Sequence, residues 1–169
     1  MTPLRTERLL LRPATLADVG AMHAILSDPV AMVYWSTPPH ETVEQTRVWL
    51  QAMIGLGPDE GEDFIVEHDG RLIGKAGLYR FPDIGYIFRP DAWGHGFASE
   101  ALIAVIDRAF VKHELAAIWA DVDPRNVRSL RLLGRLGFRE ICRKARTWRV
   151  GDQWCDSVYL RLDRTKAVG

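Results

Sequence analysis

The residues best suited to chemistry stand together at Trp93-Gly94-His95-Gly96-Phe97-Ala98-Ser99-Glu100, between a strand-like and a helix-like segment. Glycines at 94 and 96 let the backbone curl until several N–H groups face one point, and a helix start adds roughly half a positive charge there. Together they make a cradle for a diphosphate, which a side chain at Gly94 or Gly96 would fill. No Gly-Lys-Ser/Thr closes the loop, so it is not a Walker loop, and its glycines lack the full dinucleotide-binding spacing. A Gly-x-Gly before a helix also serves as an ordinary tight turn. Asn126 and Ser129 stand at the cap and third position of a second helix, where capping alone accounts for both residue types. Arg125, Arg128, Arg131 and Arg135 run along that helix as a basic stripe, of which one or two suit phosphate contacts while the rest form a solvated face.

The elements that must hold these residues fit in one domain, 1–169, since 169 residues with 47% hydrophobic and 26% charged side chains describe a globular chain. Charge is balanced, 22 Lys+Arg against 22 Asp+Glu, which argues against nucleic acid as a partner. Its distribution is uneven. From Ala14 to Asp63 one base faces eight acids, whereas from Pro124 to Arg149 nine bases face one acid. If both segments line one cleft, an anion is favoured at one end and a cation at the other. No apolar run approaches the ~20 residues of a membrane span, and the N-terminus, with Arg5, Glu7, Arg8 and Arg12, lacks a signal peptide's apolar stretch. A cytoplasmic protein without a membrane partner is expected. Cys142 and Cys155 form no disulfide framework and have no histidines at ligand spacing, so no metal is expected.

Hydrophobic spacing predicts a strand at Arg8–Pro13, a helix from the Thr15–Asp18 cap to Pro29, and a second helix from Thr42 to Gly55. Between the helices lies an aromatic loop with Tyr34 and Trp35. Strands follow at Asp63–His68 and Arg71–Arg80 about an Asp69-Gly70 turn, then at Ile84–Phe88. A helix over Ala98–Val111, a strand over Ala117–Val122, a helix over Asn126–Leu136 and a final hairpin complete the order β-α-α-β-β-β-α-β-α-β-β. One mixed α/β sheet results.

The run Ala92-Trp93-Gly94-His95-Gly96-Phe97-Ala98-Ser99-Glu100-Ala101 resembles the pyrophosphate loop of the GNAT superfamily of acyl-CoA-dependent N-acetyltransferases. That loop has the pattern Gln/Arg-x-x-Gly-x-Gly/Ala; here Trp93 stands at the Gln/Arg position and Gly96 and Ala98 at the others. The tryptophan form is similar to the RimJ/RimL-type branch, the ribosomal-protein N-terminal acetyltransferases. Thr6 to Pro13, Ile84-Gly85-Tyr86, Asn126-Val127-Arg128-Ser129, Leu136-Gly137-Phe138 and Asp156 to Tyr159 match in the same order.

The resemblance implies a sheet splayed at its centre and acetyl-CoA as acyl donor. It implies pantetheine in the gap beside Ile84–Phe88, bonded to backbone at Tyr86, Ile87 and Phe88, and the diphosphate on Trp93, Gly94, His95, Gly96, Phe97, Ala98 and Ser99. Asn126 would meet the pantetheine amides, and Ser129 would protonate the departing thiolate. Asp83 stands where the family often carries a Glu base, or is simply a turn residue; Tyr86 and Tyr159 are proton-handling or packing groups. The side chain of His95 is expected to point outward. The acidic segment with Tyr34 and Trp35 would flank the acceptor, a primary amine that is either a peptide or protein N-terminus or a small molecule. Direct attack in a ternary complex is expected, because Cys142 and Cys155 show no activated-thiol pattern. A non-catalytic acyl-CoA sensor is the competing class, and a monomer or homodimer the expected assembly.

Overall fold

A computed structural model describes residues 1–164. Leu4–Arg5 (β1) and Leu9–Arg12 (β2) open the chain, and β1 is a short strand that the apolar pattern did not announce. A 3₁₀ turn at Leu16–Asp18 precedes Val19–Leu26 (α1), with Asp18 Oδ2 accepting from the Thr15 N–H at 2.8 Å. Val43–Ile54 (α2) starts from a reciprocal box, in which Thr42 Oγ1 accepts from the Gln45 N–H at 3.3 Å and Gln45 Oε1 from the Thr42 N–H at 3.1 Å. Glu62–His68 (β3) and Arg71–Arg80 (β4) turn at Asp69 and Gly70, whose φ angles of +50° and +76° suit the mirror-image turn that matches strand twist. Asp83–Phe88 (β5), Phe97–Val111 (α3), Ala117–Val122 (β6) and Val127–Arg135 (α4) follow. The hairpin of Arg139–Val150 (β7) and Gln153–Asp163 (β8) closes the fold.

The eight strands form one mixed sheet in the order β1-β2-β3-β4-β5-β6-β8-β7. Strand alternation sends Phe64 and Val66 to one face and Ile65 to the other. The first face packs on Ala101, Leu102, Val105 and Ala109 of α3, in a core that also takes Leu132 and Leu133 of α4. On the opposite face Ile65, Leu72 and Ile87 meet Met22, Ile25 and Leu26 of α1 and Leu50 and Met53 of α2.

One junction positions the site. All neighbouring strands pair antiparallel except β5 and β6, which run parallel and pair only at Asp83↔Trp119. Beyond that point β5 carries on through Ile84–Phe88 and β6 through Ala120–Val122 without a shared ladder, so the sheet opens towards their carboxyl ends. The expected splay is therefore present. Because the strands are parallel, α3 and α4, which follow them, both begin at the open end. Among the described residues no helix is long and apolar enough to cross a membrane.

Candidate active site

The loop after β5 has the backbone geometry an anion cradle requires. Gly94 and Gly96 hold φ of +82° and +81°, and no atom lies within 4 Å of where a Cβ on Gly94 would stand. Left-handed geometry and empty space are both what glycine supplies there. No side chain caps α3, so its first N–H groups remain available to a ligand. Trp93 Nε1 donates to the Phe88 carbonyl at 2.9 Å, pinning the loop to the end of β5. Arg8 donates to the His95 carbonyl at 3.0 Å and to Glu100 Oε2 at 2.7 Å, while its guanidinium lies 4.8 Å from the Phe97 ring centre. The His95 side chain is exposed, as expected, and Ala98 and Ser99 are half-buried in the first turn. Arg128 stacks 5.4 Å from the Trp93 ring centre, which brings one member of the basic stripe beside the loop. Glycine conformation, uncapped helix and adjacent cations fit a diphosphate, so these residues would hold that part of acetyl-CoA, whose thioester supplies the activated acyl group.

At the other lip of the gap, Asn126 Oδ1 accepts from the Ser129 N–H at 3.1 Å. Asn126 is thus the cap of α4, and Ser129 contributes its backbone to that cap but not its hydroxyl. The Ser129 hydroxyl is bonded instead to the Tyr86 hydroxyl at 2.6 Å, joining β5 to α4 across the open junction. Burial pushes the Tyr86 phenol up to about 12, with the Ser129 bond opposing it, so Tyr86 stays protonated at neutral pH. Two residues read separately from sequence form one hydroxyl pair. Ile87 and Phe88 are buried beside it.

Asp83 sits at the β4–β5 turn, where Arg80 donates to Oδ2 through Nε at 3.1 Å and through its terminal nitrogen at 2.8 Å. Tyr159, on β8, lies 5.5 Å from Lys144 Nζ. Neither lines the cleft that opens on the gap from the α1/α2 side. That cleft, about 420 Å³, is bounded by Tyr34, Trp35, Trp49 and Tyr79, by Ile84 and Gly85 of β5, and by Asp121 and Asp123 at the end of β6. Of the eight carboxylates in the acidic segment, Asp63 alone lines it; Asp18 is bound by Arg12, and Glu62 by Arg108, Lys112 and His113. Cleft charge comes otherwise from Asp121, Asp123 and Asp156, so four carboxylates face two cations, Lys75 and Arg125.

The floor of the cleft holds residues the sequence reading passed over. Lys75 Nζ donates to Asp63 Oδ2 at 2.7 Å, and both side chains are almost fully buried. Asp63 Oδ1 is buried without a hydrogen-bond partner among the described residues. Burial holds the Asp63 carboxyl above the usual carboxylate range, against the pull of Lys75. A lysine inside the apolar run Leu72-Ile73-Gly74-Lys75-Ala76-Gly77-Leu78 was the available signal.

Residues 8–139 match the family model described as an acetyltransferase (GNAT) domain. The chain belongs to the GNAT acetyltransferase family. It is 34% identical over 149 residues to an uncharacterized N-acetyltransferase, p20, of Bacillus licheniformis, covering 83% of this chain and 84% of that one. It is 28% identical over 138 residues to the spermidine N(1)-acetyltransferase of Escherichia coli K12, covering 76% and 71%. The RimL ribosomal L7/L12 alpha-N-protein acetyltransferase in complex with coenzyme A shares the fold, with a TM-score of 0.84, 16% identity and coverage of 96% and 98%. As a GNAT enzyme the chain is an acyltransferase with acetyl-CoA as donor.

Proposed function

We propose that this enzyme transfers acetyl from acetyl-CoA to the primary amine of a cationic acceptor, by direct attack within a ternary complex. The observation that carries the reading is the junction itself. β5 and β6 part after one residue pair, the glycine loop stands at one lip, and the Tyr86–Ser129 pair bridges from that lip to the other. Backbone donors on the unpaired edge of β5, near Tyr86, Ile87 and Phe88, can stabilise charge developing at the thioester carbonyl without reorganising. Ser129 Oγ hands a proton to the leaving thiolate and takes one from the attacking amine, while the Tyr86 hydroxyl holds it in place. No covalent acyl-enzyme is invoked.

The preferred acceptor is a peptide or protein N-terminus. An α-amine, with a pKa of about 8, offers far more neutral nucleophile at pH 7 than a lysine side chain near about 10.4. A small polyamine is the second reading, favoured by four carboxylates against two cations in the cleft and by the similarity to a spermidine acetyltransferase. Thiol release from acetyl-CoA, with mass spectrometry to locate the acetyl group, separates the two. Free N-terminal peptides should react faster than N-terminally blocked peptides bearing one lysine. Turnover of spermidine with peptides inert selects the polyamine. CoA binding without turnover of any amine supports a sensor and refutes the transferase.

A further inference from the structure

Asp63 and Lys75 lie deep in the acceptor-side cleft but outside the donor-binding residues. A buried ion pair is an inefficient way to stabilise a fold, because apolar side chains of similar size often do as well or better. This pair is also incomplete, since only Oδ2 of Asp63 is used and Oδ1 has no partner among the described residues.

The surrounding strands set that carboxyl in line with the open edge of β5. Asp63, Gly77 and Gly85 are in register across β3, β4 and β5, with side-chain positions on one face. A Cβ on Gly77 would come within 2.6 Å of Asp63 Oδ1, and one on Gly85 within 3.0 Å of the Tyr79 ring. The two glycines therefore let the Asp63 carboxyl, the Lys75 amine and the Tyr79 ring settle close against the backbone of the row that leads to the open edge of β5. Lys75 Nζ stands 3.6 Å from the Gly85 Cβ position, with the Trp35 and Tyr79 ring centres each 5.8 Å away.

Resting on the reading of this cleft as the acceptor side, we propose that Asp63 is the catalytic base, its Oδ1 taking a proton from the acceptor's ammonium directly or through one water. The ammonium and the carboxylate become a neutral amine and a carboxylic acid. The amine's lone pair then forms the C–N bond as the C–S bond breaks, its second proton goes by way of Ser129 to the thiolate, and Asp63 returns its proton to solvent. Lys75 fixes Oδ2, which leaves Oδ1 to the incoming group, and its charge disfavours a second ammonium beside it, so the amine gives up its proton more readily. The burial that raises the Asp63 carboxyl makes it a stronger base than a surface aspartate. Lys75 draws the Asp63 carboxyl back towards ionisation, and Tyr34, Tyr79, Asp121, Asp123, Arg125, Cys155 and Asp156 share the cleft.

The test uses the full chain, acetyl-CoA, and two probe amines, spermidine and a serine-initial hexapeptide. Asp63→Asn strands Lys75 and can fail to fold, so the informative variant is Asp63→Asn with Lys75→Met, which removes both charges. The double variant is expected to melt cooperatively and bind CoA within about threefold of the parent, while kcat/KM for the acetylated probe falls roughly 10²–10⁴-fold and the acid limb of its pH profile disappears. Retention of kcat/KM within about threefold, with the acid limb unchanged, would mean that the pair is structural and overturn the proposal. If the parent acetylates neither probe, the acceptor reading fails on its own, and Asp63 is then judged by its carboxyl ¹³C resonance in the CoA complex. A carboxyl that titrates above the usual carboxylate range supports a base; one that titrates like a surface aspartate, or stays neutral at every pH at which the protein is folded, overturns it.

Discussion

Replacing Gly96 by valine puts the phosphate cradle to a quantitative test. Gly96 holds φ at +81°, and its Cβ would stand 3.4 Å from the Arg8 guanidinium, which is ordinary contact. Crowding is therefore slight, and backbone conformation carries the effect. Holding valine in the left-handed region costs about 1–2 kcal/mol. If the loop keeps its shape, that cost appears as lost stability, a fall in Tm of roughly 2–8 °C for a chain of this size. If the loop relaxes, N–H groups turn away from the diphosphate, and each charge-assisted bond lost, at about 1.5–3 kcal/mol, weakens CoA binding by roughly 10–100-fold. Calorimetry with CoA and thermal melts should thus show either that fall in Tm or at least about a tenfold loss of affinity, with the fold intact. Gly134→Ala is the matched control: Gly134 lies in α4 at ordinary φ with nothing within 4 Å of its Cβ position, so the protein should gain up to about 1 kcal/mol of stability and keep its CoA affinity. Undiminished CoA affinity together with an unchanged Tm in Gly96→Val would mean that the left-handed Gly96 has no part in shaping the donor site.

Ser129→Ala should lower kcat by roughly 10²–10⁴-fold with little change in Tm, because the α4 cap runs from Asn126 Oδ1 to a backbone N–H that alanine keeps. Asn126→Ala should instead cost about 1 kcal/mol of stability, read from denaturant melts. Glu62 gives an acid-stability prediction: burial opposes its ionisation, but Arg108, His113 and Lys112 outweigh burial and draw it from 4.5 to about 2. Its stabilisation, about 3 kcal/mol at 1.36 kcal/mol per pH unit, is complete above pH 4.5 and lost as pH falls towards 2. Glu62→Gln should be less stable at neutral pH and show a shallower decline through that window; an unchanged acid slope would count against the assignment.

The elements were readable where they obey local rules. Asp69-Gly70 called for a tight hairpin turn, the spacing after Thr42 for a helix, and Gly94 and Gly96 for a curled loop; each is found. What depends on pairing between distant residues was not. No local rule brings Tyr86 to Ser129, 43 residues away. Asp63 and Lys75 show why such pairs escape. The Asp69-Gly70 turn pairs His68 with Arg71 and Glu67 with Leu72, and that register carried onward would set Asp63 opposite Ala76, with Lys75 on the other face. A bulge between Val66 and Glu67 shifts the pairing by one residue, so that Asp63 meets Gly77, Ile65 meets Lys75, and lysine and aspartate share a face. That one-residue slip, which nothing in the local composition announces, creates the charged floor of the cleft.

The parted strands have a consequence for the lifetime of the protein. β1 to β5 and β6 to β8 are joined within the sheet by a single residue pair, so the middle of the sheet lacks the ladder that ties other neighbours together. A pantetheine arm lying in that gap would supply the missing partners. By mass action, donor at a hundred times its dissociation constant adds about 2.7 kcal/mol to stability, and at lower supply the two halves come apart more readily. The abundance of such an enzyme in the presence of proteases then tracks the supply of its own acyl donor, with no separate sensor required.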